Sequence, residues 1–323
     1  MHLILPFGEH WRLLTPTNIQ VRRLWGWGHF IQKMLAAARP MPFQNNQLLV
    51  ASDYSGEHHE ATHLIYCYLI VGGRTGPWLS AIRSARSSLL PDGRRMAYKR
   101  LSDPSRQKAL VPFLQAAADL DGHLVAVAVD KRKKWLTTAP AVAHQLRQAF
   151  GLKASWNPRS LEAMMRKVHF LSIFLSLWSR PYANLTWITD QDEFVANDAR
   201  HDDALLAAAR VSSFYVPHPM GVFALNTTGQ DPKARDFEDL CSVPVLAAGM
   251  LSDIASRLSK EGSWEDKMRK TIENQLPIKT DVIADWFWDT DMRLQKTLIT
   301  IDMEGARFSV RQVWQLQESP SLG

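Results

Sequence analysis

Three short apolar runs in this chain each end on an aspartate: QLLVASD on Asp53, LVAVAVD on Asp130 and LTWITD on Asp190. A carboxylate at the outgoing end of a buried strand is costly unless a cation or hydrogen bonds compensate it. Three of them predict acids gathered at one edge of a parallel sheet, where open α/β sheets place their sites. Oxygen ligands of this kind suit Mg2+ or Mn2+ rather than zinc. Two such ions about 4 Å apart can activate a water and stabilise the leaving oxygen of a phosphodiester. For any one of the three alone, capping the turn that follows is the simpler role. For Asp53 that turn is Ser55-Gly56. The repetition is what points to a shared cation.

Further candidates surround these acids. Asp190-Gln191-Asp192-Glu193 sets three carboxylates within four residues, which repel one another without a cation, so Asp192 joins the expected metal ligands. An exposed acidic loop would have the same composition. Arg95, Lys99 and Arg100 surround Tyr98 in a block that suits a phosphate backbone, with the ring free to stack on a base. Lys131 and Arg132 directly follow Asp130 and would hold phosphates beside it. Both basic stretches also read as solvated surface. His58, His59 and His63 lie near Asp53 in sequence and would serve a metal, a proton transfer or an ordinary loop.

The whole composition narrows the class. At 323 residues, 46% hydrophobic and 22% charged, this is an ordinary globular chain able to bury one large core or two modest ones. A formal charge of +6 and a pI near 9.3 favour a polyanionic partner such as nucleic acid. Cys67 and Cys241 fit no metal or redox spacing and read as free thiols of a reducing cytoplasm. The opening MHLILPFGEHW is too short an apolar stretch for a signal peptide, and no run is expected to reach membrane-spanning length. A P-loop and a G-x-S-x-G elbow are both missing, which disfavours P-loop NTPases and α/β-hydrolases. The lone Gly-x-Gly at Gly26–Gly28 follows no strand.

The elements that must position the acids follow from periodicity. Thr17–Ala38 predicts a helix closed by Pro40 and Pro42. Thr62–Val71 predicts a strand paired with the Asp53 strand in a hairpin. Helices are expected over Pro77–Leu90, over Asp103–Leu120 with Asp103 as cap, over the apolar Pro158–Ser179 and over Arg200–Arg210. A strand is expected over Gly221–Asn226, and an acidic turn with an Ala/Gly-rich helix over Phe237–Ser256. Helices around Glu265–Gln275 and Trp286–Trp288, then a hairpin over Leu298–Val313 turning at Glu304-Gly305, complete the chain. The expected organisation is a helical extension over 1–46, a core over 47–256, and C-terminal helices and hairpin over 257–323.

Together, Asp-x-Ser-Gly ending a first strand, a Tyr-Lys segment after a helix, a strand ending in Asp, and a late helix reading Pro-x-Leu-Ala-Ala-Gly resemble a widespread bacterial family with a ribonuclease H-like fold, found among mobile-element and phage-defence genes. The likeness spans about Gln47 to Ala255. It implies a mixed sheet flanked by helices and metal-dependent cleavage of DNA or RNA, with Asp53 as the first-strand acid, Asp130 as the fourth-strand acid and Asp190 as a fifth-strand acid. Two departures bear on activity. Met96, Ala97 and Lys99 stand where such nucleases carry a glutamate, and Val245 stands where the late helix reads Pro-Asp-Leu. Asp239 or Asp253 would have to replace that last acid, although Asp253 lies about 12 Å further along a helix. The alternative implied by these departures is a catalytically degenerate member that binds nucleic acid or serves in a larger assembly with a protein partner; oligomeric state is left open.

Overall fold

The computed structural model describes residues 5–6, 25–37, 43–72, 75–90, 95–190, 192–230, 235–257, 264, 276–305 and 307–313. The chain is an α/β protein with a mixed sheet. Its strands are β1 (Leu5–Pro6), β2 (Gln47–Ser55), β3 (His63–Gly72), β4 (Gly122–Asp130), β5 (Asn184–Thr189), β6 (Val222–Thr227), β7 (Gln295–Glu304) and β8 (Arg307–Val313). They follow the order β1-β6-β5-β2-β3-β4-β7-β8. The helices are α1 (Gly26–Ala36), α2 (Gly76–Leu89), α3 (Pro104–Ala118), α4 (Pro140–Ala149), α5 (Pro158–Trp178), α6 (Asp198–Tyr215), α7 (Asp236–Arg257) and α8 (Ile278–Trp288). Residues divide into two compact units.

The first unit comprises Met1–Ala51, Ile70–Arg74 and Lys134–Phe237. In it β5 runs parallel to β6, and β6 antiparallel to β1. Asn184 N donates to Asn46 O at 2.7 Å, which sets the incoming ends of β5 and β2 side by side in the same sense. Helix α5 starts on Asn157, whose side chain accepts from Ser160 N, with Pro158 at the first helical position. Almost its whole surface is buried, so its apolar residues need no stripe. Helices α1 and α6 pack on it. Gly28 explains the Gly-x-Gly segment, because a Cβ there would stand 2.1 Å from Tyr215 Oη. That segment serves helix packing and not a ligand.

The second unit comprises Ser52–Leu69, Thr75–Lys133 and Glu238–Gly323. Strand β4 is buried at every position but His123, as a strand covered on both faces must be. It runs parallel to β7, from His123 opposite Gln295 to Val129 opposite Ile301. Strand β8 folds back antiparallel on β7 through Gly305 at φ +64°. The expected hairpin therefore forms, and it extends the sheet beside β4. Lys131 N donates to Thr62 O at 3.0 Å, which joins the end of β4 to the start of β3 and gives them opposite senses. β2 is followed by Gly56, whose φ of +88° and close approach to His63 O admit no side chain. Helix α3 is capped as expected, Asp103 accepting from Ser105 N and Arg106 N.

Several expectations shift. Helix α1 is the described part of the helix expected over 17–38; residues 17–24 and 38 and the helix expected over 265–275 lie outside the described residues. Helix α4 is an addition. Glu238 and Asp239 sit inside α7 and not in a preceding turn. That helix has 22 residues and enough apolar character to span a bilayer, contrary to the expectation that no run reaches such a length; 78% of its most apolar window is buried inside the protein. Burial accounts for the composition.

Candidate functional site

In the second unit, Asp53 stands on the outgoing half of β2 and is half-buried. Its charge acts on Cys67 of β3, a fully buried thiol raised well above its ordinary pKa by burial first and by Asp53 second. Cys67 and Cys241 are buried thiols outside any disulfide, as the sequence predicts. Asp130 closes β4 and is 4% exposed. Its Oδ1 accepts from Arg132 N at 2.8 Å and Arg132 Nε at 3.1 Å. Its Oδ2 accepts from Arg132 Nε at 2.9 Å, Arg132 Nη2 at 2.5 Å and Met303 N at 3.3 Å. Burial pushes this carboxyl up, but the Arg132 and Met303 hydrogen bonds outweigh it and hold the group below its usual range. A fork of this kind takes up the lone pairs that a metal would need. Asp239 is likewise buried and ion-paired with Arg86. That pair lines a small open cleft with Ile82, Leu89, Met96 and Phe113.

In the first unit, Asp190 follows β5, half-buried, and accepts from Thr228 Oγ1 at 2.5 Å. Asp192 accepts from Phe194 N at 2.9 Å and from the buried Lys167 Nζ at 2.5 Å. The Lys167 ammonium also lies 4.2 Å from the centre of the Phe194 ring. The cation expected to compensate the acidic segment is thus, at Asp192, a lysine from α5. Among the described residues, no group of three or more His, Cys, Asp or Glu side chains is spaced to hold a metal ion.

The basic segment divides. Lys99 and Arg100 are exposed and Arg95 is half-buried, its carbonyl accepting from Arg106 Nε. Tyr98 is no stacking platform: it is 9% exposed, and its hydroxyl meets Thr280 Oγ1 at 2.8 Å and Asp253 Oδ2 at 3.0 Å. Burial raises the pKa of this phenol above its ordinary value, against the opposing hydrogen bond with Thr280. Lys131 Nζ donates to His58 O at 2.5 Å, and Arg132, though exposed, spends its guanidinium on Asp130 and Met303 O. His63 is buried too, with Nε2 3.0 Å from Asp302 Oδ1 and Nδ1 2.9 Å from Thr62 Oγ1.

Gly249 of the Pro-x-Leu-Ala-Ala-Gly segment explains where Tyr98 goes. A Cβ on Gly249 would stand 2.2 Å from Tyr98 Cγ, so the glycine and the tyrosine of the two motifs fit together as a knob and its hole. Gly249→Ala should cost about 1–3 kcal/mol through overpacking. In a urea-melt cycle, Tyr98→Ala should reverse much of that loss, because the two sites share one contact. Additive losses would contradict the packing.

Asp253 is the centre of a network that the sequence does not reveal. It accepts from Arg257 Nε at 2.9 Å, Thr280 Oγ1 at 2.8 Å and Tyr98. Burial raises its carboxyl, and the hydrogen bonds from Arg257, Thr280 and Tyr98 outweigh it, leaving the group below its ordinary 3.8. Its stabilisation is therefore complete above that value and lost as pH falls through the lower folded one. Asp253→Asn should flatten the acid limb of a Tm-versus-pH curve below about pH 4. An unchanged acid limb would contradict the network. Only the i, i+4 spacing of Asp253 and Arg257 hints at it in the sequence. Comparison with protein-family models and with curated proteins returned no match.

Proposed function

We propose that this chain is a metal-dependent nuclease with a ribonuclease H-like core. The observation that carries the reading is that two of the expected acids stand half-buried at the outgoing ends of strands, Asp53 on β2 and Asp190 directly after β5. Carboxyl ends of neighbouring parallel strands are where open α/β sheets bind ligands. A central strand with an antiparallel neighbour, β3, and a parallel one, β5, is also the order a ribonuclease H-like sheet takes. Asp130, Asp192 and Asp239 hold Arg132, Lys167 and Arg86. One or two carboxylates with substrate phosphate suit Mg2+ or Mn2+.

When bound, such an ion supplies Lewis acidity toward a phosphodiester and lowers the pKa of a water. The chain's own part is electrostatic. Asp53 and Asp190 hold negative charge at the strand ends, while the exposed Lys99 and Arg100 attract and retain the phosphate backbone. The test is a panel of single- and double-stranded DNA and RNA with Mg2+, Mn2+ or chelator. Metal-dependent shortening of at least one substrate is expected, and intact substrates throughout would end the reading.

A second reading has its own observation. Three of the proposed acids are ion-paired, and Val245 is half-exposed on a helix whose neighbouring residues are buried, so an acid there would be accommodated. On that reading the chain binds nucleic acid without cutting it, as a subunit of a larger assembly. Binding should then weaken steeply with salt and show no metal-dependent turnover. Val245→Asp should create turnover where the parent has none. A wild type that already cuts would set this second reading aside.

A further inference from the structure

We propose that Lys296 is an acylation site, its amine placed to take an acyl group from a thioester ahead of the other lysines of the chain. Lys296 lies on β7 opposite Leu124 of β4 and is half-buried. Its Nζ reaches Met292 Sδ at 3.0 Å and stands 5.3 Å from the centre of the Trp286 ring of α8. Among the described residues, that thioether is its sole hydrogen-bond acceptor. A thioether is a weak acceptor, and an aromatic face compensates an ammonium only in part. The site therefore removes water from the cation without returning an equivalent partner, which favours the neutral amine.

The amine is poised accordingly. Burial lowers the ammonium to about 8, against the opposing pull of the Asp289 carboxylate, among the described residues the one charged group that acts on it. Near pH 8 about half the molecules would carry a nucleophilic amine, against well under about 1% for an exposed lysine. The lone pair attacks the thioester carbonyl carbon, the C–N bond forms, and the C–S bond breaks. Sulfur departs as thiolate and the nitrogen sheds a proton to solvent, leaving a neutral amide and a thiol. An uncharged amide beside Trp286 no longer carries the cost of desolvating an ammonium.

The experiment exposes the folded full chain briefly to S-acetyl-N-acetylcysteamine between pH 7 and 9.5 and reads each lysine by mass spectrometry after Glu-C digestion. Lys296 should acetylate about tenfold faster than the exposed Lys99 and Lys153, with a half-maximal rate near pH 8. Met292→Leu should preserve this preference. Lys296 reacting no faster than Lys99, or rising with pH only alongside it, would overturn the proposal.

Discussion

Asp53→Asn is expected to abolish metal-dependent cleavage while the protein remains folded. The substitution keeps the shape of a half-buried side chain on β2 but removes the charge that an ion needs. Loss of groups that merely orient a ligand costs about 10- to 100-fold, so loss of a ligand itself should cost at least about 100-fold in rate. Asp190→Asn should act in the same direction, and the Thr228 hydroxyl that donates to Asp190 offers a graded control, since Thr228→Val removes only a hydrogen bond. Asp130→Asn should behave differently, because its carboxylate is held by Arg132 and Met303 N. It is expected to lower Tm more than it lowers turnover per folded molecule. Cleavage kinetics with urea melts on the same samples separate these outcomes. Full activity in Asp53→Asn would remove the nuclease reading.

The second large effect concerns Glu162, which no chemistry requires and the fold depends on. This residue of α5 is 4% exposed, and its carboxylate accepts from Leu136 N at 2.7 Å, Thr137 N at 3.1 Å, Thr138 N at 2.5 Å, Thr137 Oγ1 at 2.7 Å and Arg166 Nε at 2.6 Å. The same loop offers its outer carbonyls to Trp25 and Trp27, whose Nε1 atoms donate to Thr137 O and Leu136 O. Glu162→Ala would strand several buried donors and leave the Arg166 cation, 3% exposed, without its carboxylate. Breaking a buried pair in this way costs about 3–5 kcal/mol, or about 10 °C in Tm for a domain of this size. Glu162→Gln should recover part of the loss, because the amide oxygen still accepts. A melting curve within about 1 °C of wild type for Glu162→Ala would contradict the arrangement.

What could be foreseen in the sequence depended on how local its cause was. Strand β4 declares itself because six successive apolar or small residues run into Asp130 without a break. Helix α3 does so because Asp103 and Pro104 satisfy and preset its first turn. Helix α4 buries only Ala143 and Leu146, too thin a stripe to stand out. The roles of the charged residues were harder. Arg132 stands two residues from Asp130 and was expected to grip a substrate phosphate, yet the pair closes on itself. Tyr98 looked available for stacking because the glycine that admits its ring lies far along the chain, at 249. Lys167 and Glu162 sit in an apolar helix where their partners, Asp192 and the 136–138 backbone, are joined to them only by the fold.

The most direct test of the central claim is anomalous diffraction from crystals soaked in Mn2+. The account predicts manganese density at coordination distance, about 2.0–2.2 Å, from the Asp53 carboxylate, lost in Asp53→Asn crystals, and tests Asp190 in the same way. Well-ordered crystals with both carboxylates clear in the map and no manganese at either would contradict it.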